Sequence, residues 1–366
     1  MRIGFDGTPL LGPKTGVGWY THDLIDAIAA QSPDDELLVL PVTWRAAKLV
    51  SPWTHPNVHV VHRMAPARPL WALWERVPFP PVEWFLKCDV FHATNFIAPR
   101  SWRVPTVVTV HDIGFVRDPA SVGPDILRMA ELLPATLRRA AAVITVSQFT
   151  RDELASWLPE IAGRITVVPN ASRRRPVGPP PGDGSDRPEP YVLMLGALNR
   201  RKNVGLLLDA FRILRDRGVD LRLVLAGPAS DLLDLDELLA ARGMGEPEVV
   251  RTGYVEDPEV ARLLAGARVL AFPSLYEGFG MPLVEAMEAG VPVVGVRAGA
   301  TPETVGDAGL LVAPGDAEGF ADALVAAAYD EGVRTALIAA GRVQAATFSW
   351  DRAAAAVLDV YRSVVT

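Results

Sequence analysis

Short β-branched runs alternate with helical segments along this chain, and no other feature limits the fold as much. The runs in the first half are residues 3–5, 37–40, 58–61, 89–92, 106–110, 143–146 and 166–168; those in the second are 192–195, 222–226, 249–250, 269–272 and 292–296. Apolar strands that are each followed by a helix need cover on both faces, and right-handed crossovers supply it. Each set therefore predicts a parallel, doubly wound sheet. Between the sets, residues 171–190 are rich in proline and glycine and lack apolar periodicity, which reads as a semi-rigid linker. A chain of 366 residues is too long for one compact core and suits two domains. The expected division is an α/β Rossmann-like domain over 1–170, the linker over 171–190, a second Rossmann-like domain over 191–348, and an amphipathic C-terminal helix over 349–366.

The net charge of −7 argues against a nucleic-acid partner, because binding a phosphate backbone needs a basic surface. The charge is uneven: acidic excess is confined to the second half, while all six His and every Trp except Trp350 lie in the first. The single Cys88 excludes an internal disulfide, fits a reducing compartment, and has burial as its default role. Asp6 interrupts the apolar run a signal peptide would need, and no stretch approaches 18 apolar residues. A cytoplasmic protein that spans no membrane is expected.

Residues 272–290, FPSLYEGFGMPLVEAMEAG, are the densest chemistry in the chain. An apolar strand closes at Pro273, Glu277 to Gly280 form a glycine-bearing turn, and Pro282 stands where a first helical residue would be. Leu283, Ala286 and Met287 then recur at helical spacing up to Gly290, a residue suited to a left-handed C-terminal position. A helix N-terminus after a strand is an anion site. Glu277 and Glu285, with seven residues between them, bracket it; carboxylates do not bind phosphate, so they should take hydroxyls on either side. A diphosphate with polyols at both ends is a nucleotide sugar. Taken alone, Glu285 reads equally well as a surface charge compensating the helix dipole.

These residues, with the downstream blocks GATPE (299–303) and VGDAGLLVAPGD (305–316), resemble the signature of glycosyltransferase family 4, a large retaining family with the GT-B fold of two Rossmann-like domains facing across a cleft. The resemblance spans nearly the whole chain and is weakest between about 41 and 85. It implies that Gly278, Phe279, Gly280, Met281, Pro282, Leu283 and Glu285 bind the donor and that Glu277 holds hydroxyls of the transferred sugar. In the same way the loop GALNRRKN (196–203) resembles the family's diphosphate clamp, with Arg201 and Lys202 on the phosphates. Many relatives have arginine where this chain has Ala197, and Arg200 or Arg201 would then compensate. The C-terminal helix corresponds to one that crosses back onto the first domain.

Other residues divide between chemistry and structure. Gly16 and Gly18, just before a helix, make a poor dinucleotide fingerprint, since Thr21 stands where the third glycine belongs. They resemble the family's glycine loop, against a plain capping turn. His111, in VTVHDIGF at a strand's carboxyl end, resembles the residue that contacts the donor sugar. Ser147 reads as a helix cap first and a ligand contact second; His92 and Asn95 are candidates for holding the acceptor. Tyr254, beside Gly253 and Val255, is placed near the base. His59 and His62 lack further ligands and are rejected as a metal pair. Asp234 and Asp236, a D-x-D among leucines at helical spacing, read as a solvated helix surface, so activity should survive EDTA. The aromatic, proline-broken segment 68–86, with Trp71, Trp74, Trp84, Arg68 and Arg76, reads as a packed loop or as a peripheral contact with the inner face of the plasma membrane.

The implied function is retaining transfer of a sugar from a nucleoside diphosphate to a hydroxyl of a glycan or lipid-linked glycan. The NRRKN and HDIGF segments look most like the family's mannosyltransferases, which makes GDP-mannose the expected donor, with UDP- or dTDP-sugars as alternatives. Catalysis is expected to be electrostatic, with no metal, no other cofactor and no protein base, the leaving phosphate accepting the acceptor proton. A sugar-nucleotide epimerase and a non-catalytic binding protein share the architecture.

Overall fold

The computed structural model describes residues 1–12, 16–41, 53–61, 77, 79–173, 190–230 and 233–365. They form two compact units: Met1–Arg173 together with Ser349–Thr366, and Arg174–Phe348.

In the first unit seven parallel strands, β1 (Arg2–Asp6), β2 (Glu36–Leu40), β3 (Val58–Val60), β4 (Val90–Ala93), β5 (Thr106–Val110), β6 (Ala142–Thr145) and β7 (Ile165–Val167), lie in the order β3-β2-β1-β4-β5-β6-β7. β4, β5 and β6 are buried at every position, which is why they consist mainly of β-branched and apolar residues. The helix Gly16–Gln31 packs against the C-terminal helix Trp350–Val364, whose Trp350 donates its indole N–H to the Ser172 carbonyl at 2.7 Å. Gly16 and Gly18 lie inside the first turn of their helix instead of before it.

The second unit is a six-stranded parallel sheet: β8 (Tyr191–Leu195), β9 (Arg222–Ala226), β10 (Val249–Gly253), β11 (Val269–Phe272), β12 (Val293–Val296) and β13 (Gly309–Val312), ordered β10-β9-β8-β11-β12-β13. The edge strand β13 was not among the expected runs. All four of its residues are only partly buried, so it lacks the continuous apolar signature of its neighbours. The helix Val204–Asp216 turns Leu206, Leu207, Ala210, Phe211 and Leu214 into the core, as its periodicity predicts. Burying a side chain such as Leu207 or Phe211 contributes about 2 kcal/mol.

The order of strands reverses between β1 and β4 in one sheet and between β8 and β11 in the other, and open parallel sheets bind ligands at the carboxyl ends beside such reversals. Among the described residues no helix is long and apolar enough to cross a membrane. Residues 68–76 and 78 of the aromatic segment, His62, and residues 174–189 of the linker lie outside the described residues. His59 is exposed on the edge strand β3.

Candidate donor-phosphate site

Two loops meet at the β8/β11 reversal. In the first, Asn199 accepts the Lys202 backbone N–H at 3.1 Å and so caps a short 3-10 turn, Arg200–Lys202; Asn203 follows in the left-handed region at φ 51° and starts the next helix. This turn buries Lys202 and leaves Arg200 exposed. Lys202 Nζ lies 2.8 Å from Glu277 Oε1 and 4.7 Å from the centroid of the Phe272 ring. Arg201 Nη1 sits 3.6 Å from Glu277 Oε2 and donates to the Tyr276 carbonyl at 3.2 Å, while the Leu275 N–H bonds back to the Arg201 carbonyl at 2.9 Å. The two loops are therefore joined by backbone as well as by charge.

Burial pushes the Glu277 carboxyl up, but the Lys202 and Arg201 charges outweigh it and hold the group below its ordinary value. Ser274, three residues before Glu277, is fully buried, and no sequence pattern singled it out.

The second loop ends at Gly280, whose φ of 92° no side-chain-bearing residue adopts readily, and the helix Met281–Glu288 begins. Pro282 has no N–H and the Leu283 N–H donates to the Gly280 carbonyl at 2.9 Å, so neither offers an amide to an anion as expected. The Gly280 and Met281 amides head the helix instead. Glu285 is the fifth helical residue, beyond the first turn, and only 5% exposed, which rules out a solvated surface charge. At the far end Gly290, at φ 72°, closes the helix: its N–H bonds Met287 O at 3.1 Å and the Val291 N–H bonds Ala286 O at 2.8 Å.

The GATPE segment backs the loop. Gly299 has φ 58°, and a Cβ there would lie 2.7 Å from Glu277 N and 2.9 Å from Glu277 O. The Ala300 N–H bonds the Glu277 carbonyl at 2.9 Å and Thr304 Oγ1 donates to Phe279 O at 2.6 Å. Phe279 is buried edge-on against Phe348.

Beside this centre, Gly227 approaches the Gly196 carbonyl so closely that a Cβ would sit 2.1 Å from its oxygen. There a cavity of about 620 Å³ opens, lined by Leu198, Gly227, Leu233, Asp234, Arg251 and Gly253 among others. Tyr254, 53% exposed, follows Gly253. Asp234 is a helix cap, accepting Glu237 N–H at 2.8 Å, and Asp236 pairs with Arg251. The D-x-D is thus a cap and an exposed ion pair, and not a uniform helix face.

Gly16, Gly18 and His111 belong to the first unit. His111 Nε2 donates to the Thr94 carbonyl at 2.8 Å, and the ring lies edge-on to Tyr20 at 4.7 Å. Burial lowers its pKa, so the ring is neutral with Nδ1 as acceptor. Ser147 caps the helix Gln148–Trp157 through Thr150 N–H at 3.0 Å. His92 cannot hold an acceptor: it is fully buried, 2.6 Å from Tyr361 Oη and 2.7 Å from Thr109 Oγ1.

Two doubly wound α/β sheets, one of them with a charged, glycine-bounded loop pair at its strand-order reversal, define a Rossmann-like α/β class, and comparison with known proteins narrows it. Residues 14–171 match the model for Glycosyltransferase Family 4, and residues 189–330 that for glycosyl transferases group 1. The chain is 28% identical to O-antigen chain mannosyltransferase B of Escherichia coli over 390 residues, covering 99% of this chain and 100% of that one. It is 31% identical to the D-inositol 3-phosphate glycosyltransferase of Xylanimonas cellulosilytica (73% of this chain, 68% of the relative) and 31% identical to the MMP alpha-(1->4)-mannosyltransferase of Mycolicibacterium hassiacum (73% and 61%). Among solved structures, sucrose-phosphate synthase from Thermosynechococcus elongatus aligns with TM-score 0.77 at 20% identity (99% and 98% covered), and Anabaena HepE in complex with UDP and glucose with TM-score 0.72 at 22% (99% and 100%). The chain belongs to glycosyltransferase family 4 and has the GT-B fold; it is a hexosyltransferase.

Proposed function

We propose that this enzyme transfers mannose from GDP-mannose to a hydroxyl of a glycan or lipid-linked glycan, with retention at the anomeric carbon and without a metal. The observation that carries the reading is the buried Lys202–Glu277 pair, flanked by Arg201, beside the Gly280–Met281 helix head at the β8/β11 reversal. The names of the Escherichia coli and Mycolicibacterium relatives favour mannose.

As the bond from the anomeric carbon to the phosphate oxygen breaks, negative charge grows on the diphosphate. Arg201, Lys202 and the helix-head amides stabilise it without reorganising. The acceptor oxygen bonds to the anomeric carbon on the same face, and its proton passes to the leaving phosphate oxygen, so no protein base is required. Glu277 accepts hydroxyls of the transferred sugar and Glu285 those of the ribose, while the His111 role rests on the family resemblance alone. The cavity beside Gly227 and Gly253 takes the base.

Titration calorimetry with GDP-mannose, UDP-glucose, ADP-glucose and dTDP-glucose tests the donor; UDP-glucose is included because the Anabaena neighbour holds UDP and glucose. NMR of the product with acceptor present reads the anomeric configuration, and EDTA should leave the rate unchanged. Tighter binding of another donor, an inverted product, or an epimer released without acceptor would each overturn the corresponding part.

A further inference from the structure

The cavity beside the Lys202–Glu277 pair has a lining of mixed character. Leu198, Leu233 and Leu235 make it apolar, and among its described residues the polar side chains are Asp234, Asp236 and Arg251. It lies two glycines away from Lys202: a Cβ on Gly227, in the lining, would meet the Gly196 carbonyl oxygen at 2.1 Å, and one on Gly196 would stand 3.7 Å from Lys202 Nζ. Its volume of about 620 Å³ falls within the roughly 300–1,000 Å³ of small-ligand pockets.

The two aspartates differ in what they have left to offer. Asp236 is paired with Arg251 on the rim, the side chains being 83% and 45% exposed, so each neutralises the other. Asp234 accepts the Glu237 N–H at 2.8 Å as the cap of the helix Leu235–Ala240, and no other donor among the described residues reaches its carboxylate. The cap uses one of the roughly four acceptor sites of a carboxylate. The cavity therefore presents apolar walls and one uncompensated acceptor group.

A flat ring entering it must be apolar on its faces and offer donors at its edge. Guanine does so with N1–H and the adjacent C2 amino group, a pair that a carboxylate accepts together. Uracil and thymine flank their one edge N–H with carbonyl oxygens, which a carboxylate repels, and the cation that could serve those carbonyls, Arg251, is held by Asp236. Adenine and cytosine set a ring-nitrogen lone pair beside their amino group and meet the same repulsion.

We propose that Asp234 selects guanine, its carboxylate accepting N1–H and the C2 amino group of the donor's base. This deepens the reading of a GDP-linked donor and rests on the base lying in this cavity. A site built to accept an N–H rejects the analogue that lacks it, because the acceptor is then left unpaired.

Titration calorimetry of the full chain with GDP, inosine diphosphate, xanthosine diphosphate and UDP reads the base alone. Inosine diphosphate lacks the C2 amino group, and xanthosine diphosphate carries a carbonyl in its place. The unmodified protein should bind GDP most tightly and inosine diphosphate about tenfold more weakly, the worth of one hydrogen bond to a charged group. Asp234→Asn should keep the fold, since asparagine caps a helix as well as aspartate does. It should lose about tenfold or more in affinity for GDP and gain affinity for xanthosine diphosphate, whose C2 carbonyl accepts from the new amide. A residue that only caps its helix would leave both affinities unmoved. Equal binding of GDP and inosine diphosphate to the unmodified protein overturns the proposal and needs no variant to fold. So does an unchanged ratio of GDP to xanthosine diphosphate affinity in an Asp234→Asn protein of parental melting, which leaves the GDP-linked donor itself intact. Tighter binding of UDP than of GDP overturns the donor reading and the role of Asp234 with it.

Discussion

Lys202 Nζ and Glu277 Oε1 are 2.8 Å apart in a pair that is almost wholly removed from water. Removing one partner of a buried pair leaves a charge without compensation and costs about 3–5 kcal/mol, whereas replacing both is often near neutral. Lys202→Ala should therefore lower stability by about that amount in urea melts, and Lys202→Met with Glu277→Leu should recover most of it. Turnover should fall on the order of 10²-fold in Lys202→Ala and stay low in the double variant, because the cation proposed to face the diphosphate is gone in both. The pH sign follows from the direction of the shift. Glu277 is held below its unfolded value of 4.5, so its contribution to stability is complete above that pH and disappears as the pH falls beneath it. A Lys202→Ala enzyme that turns over within threefold of the parent would remove this residue from the mechanism.

Gly299 is required by the backbone of Glu277. A methyl group at Gly299 would press on both the nitrogen and the carbonyl oxygen of Glu277, from a backbone conformation that side chains rarely adopt. Gly299→Ala should cost roughly 1–3 kcal/mol in stability, by the usual strain at such a position. It should also reduce kcat, because the Glu277 backbone must move and Lys202 moves with it. A variant with parental melting and kcat would show that the loop yields freely.

Glu285 lies buried on the second turn of its helix, while Glu277 lies in the loop before it. If Glu285 holds ribose hydroxyls, Glu285→Gln keeps the shape but weakens charge-assisted hydrogen bonds. The donor Kd should rise about tenfold, the worth of one such bond, with kcat little changed. Calorimetry with GDP-mannose reads this directly, and an unaltered Kd would reassign Glu285 to packing.

The parts of this molecule legible from sequence are those whose signal is local. β5, β9 and β11 match their expected bounds because strands covered on both faces are continuous apolar runs. Gly290 announces a helix end because only its own backbone conformation is at stake. What is illegible depends on distant partners. His92 resembles an edge ligand until the C-terminal helix brings Tyr361 against it from 269 positions away. Leu283 counts as an amide donor until Gly280, in its left-handed conformation, turns a carbonyl toward it. β13 is half exposed and four residues long, so neither period nor composition separates it from a loop.

His92 also predicts how stability responds to acid. It is fully buried, and burial, aided by the nearby His111, lowers its pKa from 6.5 to about 3. As the pH falls below 6.5 the unfolded chain binds a proton that the folded one refuses until about 3, so stability is lost across that window. Asp6 acts in the opposite sense: burial raises its carboxyl from 3.8 to about 6, so in the folded chain it takes a proton first and gains stability as the pH falls between those values. The two partly cancel in the parent protein, and a variant separates them. Urea melts of His92→Asn between about pH 6 and 5 should show a change of stability per pH unit lower than the parent's by up to about 1.4 kcal/mol, the worth of one proton, which leaves the opposite contribution of Asp6 uncancelled. Tyr361→Phe, which removes the hydroxyl 2.6 Å from His92 Nδ1 but leaves the imidazole buried, should lower stability and keep the parental slope. Equal slopes in the parent and His92→Asn would mean that His92 takes up its proton without unfolding.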